Sequence, residues 1–232
     1  MKNPELKEYK IDIGDSEITL YDIKSSKTLD FVIPEAIVGD EYNTKNIDFK
    51  PGDVVLDIGA NVGGVSIMLA KKYPFLKIYS YEAHPINFQN LQKNIKENNI
   101  TNITPFNYAV YSVDNHLINI SLCTTNTGAT NSFIDIDKRD IGQSSNIDVP
   151  TISLDTIIKN NNIENLKFLK MDCEGAEFEI LESSKLINEI SVENLGIEVH
   201  LFMEEYGKNT NNLVEHLKKI TLNSPIIKYS GL

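Results

Sequence analysis

The sequence predicts a doubly wound α/β fold with a mostly parallel sheet, preceded by an N-terminal β-hairpin. From Asp53 onward, apolar runs alternate with segments of helical spacing, a pattern that forms βαβ units with right-handed crossovers. Four of the five residues after Asp53 are hydrophobic, as expected for a parallel strand buried on both faces. Residues 9–21 instead alternate apolar and polar side chains around Gly14-Asp15, which indicates a hairpin.

The other elements follow in the order that such a fold requires. Residues 29–38 are apolar but contain Pro34, so a short helix or a loop is expected there. Strands are predicted at residues 53–58, 77–82, 103–110, 116–122, 166–171, 192–200 and 225–229, with a polar excursion over 124–143, order resuming at 149–154, and helical spacing at 65–72, 83–95 and 211–220. One domain is expected, with residues 1–50 as a hairpin and cap packed on a core of residues 51–232.

Composition narrows the class of protein. The chain of 232 residues is 41% hydrophobic and 24% charged, which is ordinary for a globular domain. The sequence has no apolar run long enough to span a membrane, and its polar first ten residues do not resemble a signal peptide, so a cytoplasmic location is expected. A net charge of −11 argues against a nucleic-acid substrate. The two cysteines, Cys123 and Cys173, are expected to be free thiols.

The loop after the first core strand discriminates between two classes of ligand. Its spacing is Gly59-x-Asn61-x-Gly63-Gly64, whereas a dinucleotide fingerprint has glycine at the position of Asn61 to admit a pyrophosphate. A ligand without a pyrophosphate therefore fits this loop better. A nicotinamide oxidoreductase is the alternative that the loop disfavours, and a catalytically silent nucleotide-binding module is another.

Three sequence blocks carry a resemblance to a known family. In chain order they are Asp57-Ile-Gly-Ala-Asn-Val-Gly, Glu82-Ala-His-Pro-Ile-Asn and Phe168-Leu-Lys-Met-Asp-Cys-Glu-Gly-Ala-Glu. Together they resemble the FkbM-type S-adenosylmethionine-dependent methyltransferases, over roughly residues 41–202. The resemblance implies a Rossmann-like class I methyltransferase fold with a seven-stranded sheet, and S-adenosyl-L-methionine as the cofactor.

The resemblance also implies a cofactor site beyond the carboxyl ends of the strands. Gly59 and Gly63 would let the loop fold beneath the methionine part, with Asp57 on the amino group and Glu82 on the ribose hydroxyls. The expected cofactor-binding residues are Glu41, Asp57, Gly59, Ala60, Asn61, Gly63, Glu82, Ala83, Tyr108, Ala109 and Asp172. His84 is expected to pack beside the adenine. Alternatively, Asp57 and Glu82 only cap the helices that follow them.

Methyl transfer to a hydroxyl needs a general base, and four residues are candidates for this catalytic role: Asp172, Glu174, Glu198 and His200. Glu198 and His200 are two apart on a predicted strand, so they point to the same face. Each has another interpretation: Asp172 as a helix N-cap, Glu198 as the partner of a lysine, and His200 as a structural histidine. The four groups could also bind a divalent cation, although the resemblance does not require a metal.

The sequence gives the least information about the methyl acceptor. Residues 123–132, rich in threonine and asparagine, fall where the family carries a substrate-side loop. Side chains of this kind suit a sugar or another polyhydroxyl compound, or else belong to a solvated loop. The expected reaction is therefore O-methylation of a small-molecule or glycan acceptor, with N- or C-methylation as the alternative. Assembly into a homo-oligomer stays open.

Overall fold

The computed structural model describes residues 5–123 and 144–230, and a parallel sheet lies at its centre. The strands are β1 (Leu6–Asp12), β2 (Glu17–Ile23), β3 (Val54–Ile58), β4 (Lys77–Tyr81), β5 (Ile103–Phe106), β6 (Ala109–Tyr111), β7 (Leu117–Cys123), β8 (Ser144–Ser153), β9 (Asn165–Met171), β10 (Ser191–His200) and β11 (Ile226–Ser230). The α-helices are α1 (Val32–Ile37), α2 (Gly64–Lys72), α3 (Pro85–Glu97), α4 (Leu154–Asn160), α5 (Glu177–Ser183) and α6 (Thr210–Ile220), and short 3-10 helices cover Thr44–Asn46, Leu186–Asn188 and Leu201–Tyr206.

The strand order of the central sheet is β11-β10-β9-β3-β4-β5, and all neighbouring pairs are parallel. The chain builds the sheet outward in one direction through β4 and β5, and in the other direction through β10 and β11. The order therefore reverses between β3 and β9, which confirms the doubly wound fold. Ligands of such folds bind beyond the carboxyl ends of the strands at this reversal.

Helices cover both faces of the central sheet, and the two neighbouring residues Val55 and Leu56 of β3 show the division. Their side chains are 1% and 0% exposed, and they enter different hydrophobic clusters. Val55 packs with apolar residues of the β1–β2 hairpin, α1 and α2, whereas Leu56 packs with residues of α4, α5 and α6. Burial on both faces explains why β3 reads as an almost continuous apolar run.

The third core strand is shorter than the predicted segment 103–110. Strand β5 ends at Phe106, and after Asn107 and Tyr108 the chain enters a second sheet of order β6-β8-β7. The Nδ2 atom of Asn107 donates to the backbone oxygens of Glu82 and Ala83, at 2.7 and 3.0 Å, and so holds the chain at this exit. In the described residues the central sheet thus has six strands, where the resemblance implied seven.

The predicted hairpin is present, and two side chains, from α3 and from its C-cap residue Asn98, bond to the free edge of β2. The amide of Asn98 accepts from the backbone nitrogen of Thr19 at 2.9 Å and donates to its oxygen at 2.7 Å. Asn94 makes the same pair of bonds to Tyr21, at 2.7 and 3.1 Å. Strand residues two apart and helix residues four apart are each separated by roughly 6–7 Å, so the two spacings match. The two amides thereby make the backbone bonds to β2 that a third strand would otherwise make.

Candidate active site

A pocket opens at the carboxyl edge of the central sheet, beside the reversal between β3 and β9. Its wall comes from the loops after β3, β4 and β9 and from the ends of β10 and β11, so residues far apart in the sequence meet there. The predicted cofactor-binding residues on this wall are Gly59, Asn61, Glu82, Ala83, Tyr108, Ala109 and Asp172. The other four, Glu41, Asp57, Ala60 and Gly63, lie behind or beside it.

The two glycines of the loop after β3 are required for different reasons. Gly59 has φ +77°, and a Cβ atom there would lie 1.7 Å from the backbone oxygen of Asp172. The loop therefore passes so close to the end of β9 that only glycine fits. Gly63 has φ +91°, and its Cβ would meet a methyl group of Leu91 at 2.4 Å. Gly63 thus allows α2 and α3 to pack closely, while Gly59 shapes the pocket itself.

Glu82 is a buried carboxylate at the end of β4 that reaches the glycine loop. Its two oxygens accept from the backbone nitrogens of Asn61, at 2.7 Å, and His84, at 2.8 Å. Burial raises its pKa to about 7, against the lowering effect of these two bonds. The neighbouring Ala60 is tied to the sheet because its nitrogen donates to the backbone oxygen of Tyr81 at 3.0 Å. Glu82 therefore presents an oriented acceptor to the pocket.

His84 is buried and does not line the pocket, so the structure gives its predicted place beside the adenine no support. It is the N-cap residue of α3, where its Nδ1 atom accepts from the backbone nitrogens of Ile86 and Asn87 at 3.2 and 3.3 Å. The side chain is buried, and burial lowers the pKa of His84 to about 4. The neutral ring thus caps α3, which is the role that the alternative interpretation of the sequence gave to Glu82.

Asp57 lies within β3 rather than at the pocket surface. One of its oxygens accepts from Ser66 Oγ at 2.6 Å, and the other lies 3.3 Å from Lys170 Nζ. The same ammonium group donates to the backbone oxygen of Gly59 at 2.6 Å. Burial alone would lower the pKa of Lys170, but the charges of Asp57 and Asp172 raise it overall. This buried ion pair supports the glycine loop from beneath, a role for Lys170 that its apolar strand context did not reveal.

One wall of the pocket is mainly apolar. Ala83, Tyr108 and Ala109 lie on it where an adenine was expected, together with Ile118 and Ile120 of β7. Flat apolar surface beside a few oriented polar groups is typical of sites for nucleoside cofactors. Three features together fit S-adenosyl-L-methionine. They are the loop that contains Gly59, the acceptor oxygens of Glu82 and this apolar wall.

The predicted catalytic residues converge on the other side of the pocket. Asp172, Glu174 and Glu198 line it, and His200 is buried directly behind Glu174. His200 Nε2 lies 3.5 Å from Glu174 Oε2, and ligand atoms of Asp172, Glu174 and His200 all lie within 4.8 Å of one another. Burial raises the pKa of Glu174 to about 8, since the favourable charge of His200 does not fully offset it.

The buried carboxylate of Glu177 is a further member of this cluster, which the sequence analysis did not single out. Its Oε1 atom lies 3.1 Å from His200 Nδ1 and accepts from the backbone nitrogen of Cys173 at 2.7 Å. Burial lowers the pKa of His200, but the bond to Glu177 and the charge of Glu174 raise it to about 9 overall. The N-cap of α5 is Ala176, so the alternative in which Asp172 caps this helix is wrong.

Glu198 lies beside a lysine, Lys228, as one interpretation of the sequence predicted. Strands β10 and β11 pair Glu198 with Lys228, and Lys228 Nζ lies 3.9 Å from Glu198 Oε2. Lys228 also forms an ion pair with Glu41, which places Glu41 beside the pocket rather than on its wall. Burial, followed by the charge of Asp172, raises the pKa of Glu198. The acceptor loop predicted at residues 123–132 lies outside the described residues, except for the backbone of Cys123.

A comparison with protein families decides the class. The family model of the methyltransferase FkbM domain matches residues 57–221, which run from β3 to the end of α6. The chain belongs to the FkbM methyltransferase family. It is therefore a methyltransferase dependent on S-adenosyl-L-methionine, and this membership sets aside the oxidoreductase and the silent-module alternatives.

Individual relatives are more distant. The chain is 24% identical over 186 residues to "Methyltransferase 1" of Beauveria bassiana (strain ARSEF 2860), an alignment that covers 71% of this chain and 73% of the relative. It is 32% identical over 53 residues to "31-O-demethyl-FK506 methyltransferase FkbM" of Streptomyces tacrolimicus, covering 23% of this chain and only 20% of that protein. Among solved structures, M. jannaschii TYW2 in complex with AdoMet matches with 20% identity and a TM-score of 0.34, covering 46% of each chain. None of the helices in residues 5–123 and 144–230 is long and apolar enough to cross a membrane.

Proposed function

We propose that this protein O-methylates a hydroxyl of a sugar, a glycan or another polyhydroxyl small molecule. The observation that carries the proposal is the group of carboxylates on the pocket wall opposite the apolar side, namely Asp172, Glu174 and Glu198. Each hydroxyl of a polyol needs an acceptor for its proton, and carboxylates accept strongly. The Streptomyces tacrolimicus relative is a methyltransferase named for a 31-O-demethyl substrate, which supports oxygen as the acceptor atom.

The cofactor, when bound, supplies an activated methyl group on a sulfonium sulfur. Glu82 would accept hydrogen bonds from the ribose hydroxyls, and Ala83, Tyr108 and Ala109 would pack against the adenine. The loop containing Gly59, Ala60 and Asn61 would lie beneath the methionine part, and Gly63 joins that loop to α2. Asp57, through its pair with Lys170, keeps the loop in place, and its contact with the amino group of the cofactor, directly or through water, stays a prediction. Glu41 acts from beside the pocket through Lys228.

Glu198 is the proposed general base. It lines the pocket, its carboxylate is not hydrogen-bonded to the neighbouring histidine, and its raised pKa makes it a stronger base than an exposed glutamate. Asp172 and Glu174 accept from other hydroxyls of the acceptor and so fix its orientation. His200 is held by Glu177 behind them. Alignment of the nucleophile can contribute on the order of 7–11 kcal/mol in favourable cases.

The test is transfer of a deuterated methyl group to a panel of acceptors, read by mass spectrometry. The panel contains polyhydroxyl compounds and, for each, the matching amino compound. We expect label on oxygen and a large loss of rate in Glu198→Gln, with binding of S-adenosylhomocysteine unchanged. Label on nitrogen or carbon, or full activity of Glu198→Gln, would contradict the proposal.

Four further expectations belong with this proposal. Residues 1–50 serve as a hairpin and cap on the catalytic core of residues 51–232, as the bonds from α3 to β2 support. The protein acts in the cytoplasm, on a small-molecule or glycan acceptor rather than a nucleic acid. Assembly into a homo-oligomer is the remaining expectation, and sedimentation velocity measures it directly.

A further inference from the structure

The side chains of Asp172, Glu174 and His200 have the composition and the spacing of a metal-binding site. One ligand atom from each lies within 4.8 Å of the others, and the closest measured pair, His200 Nε2 and Glu174 Oε2, is 3.5 Å apart. Two ligands on one octahedral cation at about 2.1 Å are about 3 Å apart. Small rotations of these side chains therefore bring all three atoms onto a single ion.

Glu177 orients the histidine as metal sites require. With its Nδ1–H donating to Glu177 Oε1, His200 directs Nε2 toward Glu174 and the pocket. A histidine that binds a metal almost always donates its other nitrogen to a carboxylate in this way.

The cluster contains more carboxylates than imidazoles. Glu177 is 0% exposed, and its Oε2 atom, on the carboxylate that faces His200, has no hydrogen-bond partner among the described residues. Three carboxylates, those of Asp172, Glu174 and Glu177, share one imidazole. Among the neighbouring lysines, Lys170 pairs with Asp57 and is also attracted by the charge of Asp172, and Lys228 pairs with Glu41. A buried carboxylate such as Glu177 is costly unless it is paired or coordinates a metal.

We propose that Asp172, Glu174 and His200 bind a divalent cation at the acceptor side of the pocket, with Glu177 as a positioning residue. One imidazole and two carboxylates suit a first-row cation that accepts both nitrogen and oxygen, of which Mn²⁺ is the probe used below. The remaining coordination positions face the pocket. This inference rests on the proposed function, because the hydroxyls of a polyol would occupy those positions.

A cation there would lower the pKa of the acceptor hydroxyl beside it. The O–H bond breaks and its proton goes to the Glu198 carboxylate. The oxygen then forms a bond to the methyl carbon while the carbon–sulfur bond breaks, and that electron pair leaves with the sulfur. Charge is balanced, since the sulfonium becomes the neutral thioether of S-adenosylhomocysteine.

The experiment is titration of the chelator-treated full chain with Mn²⁺, followed by the electron paramagnetic resonance signal of free Mn²⁺. We expect one saturable site, weakened at least tenfold in Glu174→Gln and in Asp172→Asn. Glu177→Gln should weaken Mn²⁺ binding by about 10–100-fold, the usual effect of losing such a carboxylate. The matched control is Glu182→Gln, an exposed carboxylate paired with Lys208, and it should leave Mn²⁺ affinity unchanged.

Thermal unfolding, measured in every variant, shows that each is folded, and methyl transfer measured beside Mn²⁺ binding separates the two claims. Absence of saturable Mn²⁺ binding, or equal Mn²⁺ affinity in Glu174→Gln and Glu182→Gln, would show an ion-paired cluster only and overturn the metal site. Methyl transfer at full rate after removal of cations with a chelator would overturn it too, while leaving the proposed methylation intact. Saturable Mn²⁺ binding without any methylation of hydroxyls would support the metal site and count against the proposed function.

Discussion

Lys170 joins Asp57 and the backbone of Gly59 in one buried arrangement. Its ammonium group lies 3.3 Å from Asp57 Oδ1 and donates to the Gly59 oxygen at 2.6 Å, while both side chains are at most 6% exposed. The pair connects β3 and β9, the two strands between which the sheet order reverses. The stability of the sheet and the position of the cofactor loop therefore depend on the same contact.

Lys170→Met should destabilise the protein by about 3–5 kcal/mol, because it leaves Asp57 buried without its cation. Adding Asp57→Asn should recover much of the loss, since the amide keeps a bond to Ser66 without a charge. Urea denaturation of the two single variants and the double variant measures this coupling. Additive losses in the double variant would mean that the pair has no direct interaction.

Gly59→Ala should abolish binding of S-adenosylhomocysteine, because a Cβ at this position overlaps the backbone oxygen of Asp172. The matched control is Gly207→Ala. Gly207 has a similar φ of +81°, but a Cβ there would meet no described atom within 4 Å, so only the backbone cost of about 1–2 kcal/mol should appear. Calorimetric titration and thermal unfolding separate the two effects. Equal behaviour of the two variants would contradict the close approach.

Glu82 should make cofactor binding depend on pH. Its pKa is about 7 in the folded protein, so below pH 7 the carboxylate is protonated and loses an acceptor for the ribose hydroxyls. Affinity for S-adenosylhomocysteine should therefore rise up to tenfold per pH unit as the pH increases toward 7, and level off above it. Calorimetry between about pH 5.5 and about pH 8.5, a range that brackets this pKa, checks the trend, with Glu82→Gln expected to be weak and flat.

The same shift has a stability consequence of determined sign. A carboxylate whose folded pKa lies above its unfolded value of 4.5 favours folding when protonated, and that contribution is lost as pH rises through about 7. Relative to Glu82→Gln, the wild-type protein should thus lose on the order of 3 kcal/mol between pH 4.5 and pH 8. A difference independent of pH would show that Glu82 is not buried as described.

Asn98→Ala should loosen the hairpin from α3. The variant removes both bonds to Thr19 and leaves the partly buried backbone groups of Thr19 unsatisfied, at a cost of about 1–3 kcal/mol. Hydrogen exchange at Thr19 should become faster. Asn188→Ala is the control, because that exposed amide bonds only within its own turn and should change stability little.

Helices and strands with a regular pattern of apolar residues could be predicted from the sequence. The apolar runs of β3, β9 and β10 and the glycine spacing of the loop sufficed to place the pocket at the right edge of the sheet. The end of β5 could not be seen in this way, because the exit is fixed by the bonds from Asn107 to the chain after β4, a contact 25 residues distant.

The contacts of buried charged side chains could not be predicted from the sequence either. Glu177 and Lys170 sit in sequence contexts that a helix turn and a strand explain, and only the packing of β9 against β3 and β10 shows what they touch. Lys228 could have been found from one further step, since pairing β11 with β10 puts it opposite Glu198. Local patterns therefore located the site, and tertiary pairing supplied its electrostatics.

The most direct measurement is calorimetric titration of the purified protein with S-adenosylhomocysteine, with NAD as the control ligand. The cofactor assignment predicts saturable binding of S-adenosylhomocysteine, its loss in Glu82→Ala, and no binding of NAD, because Asn61 occupies the position that a pyrophosphate needs. Saturable binding of NAD, or binding of S-adenosylhomocysteine that Glu82→Ala leaves unchanged, would contradict the cofactor site described.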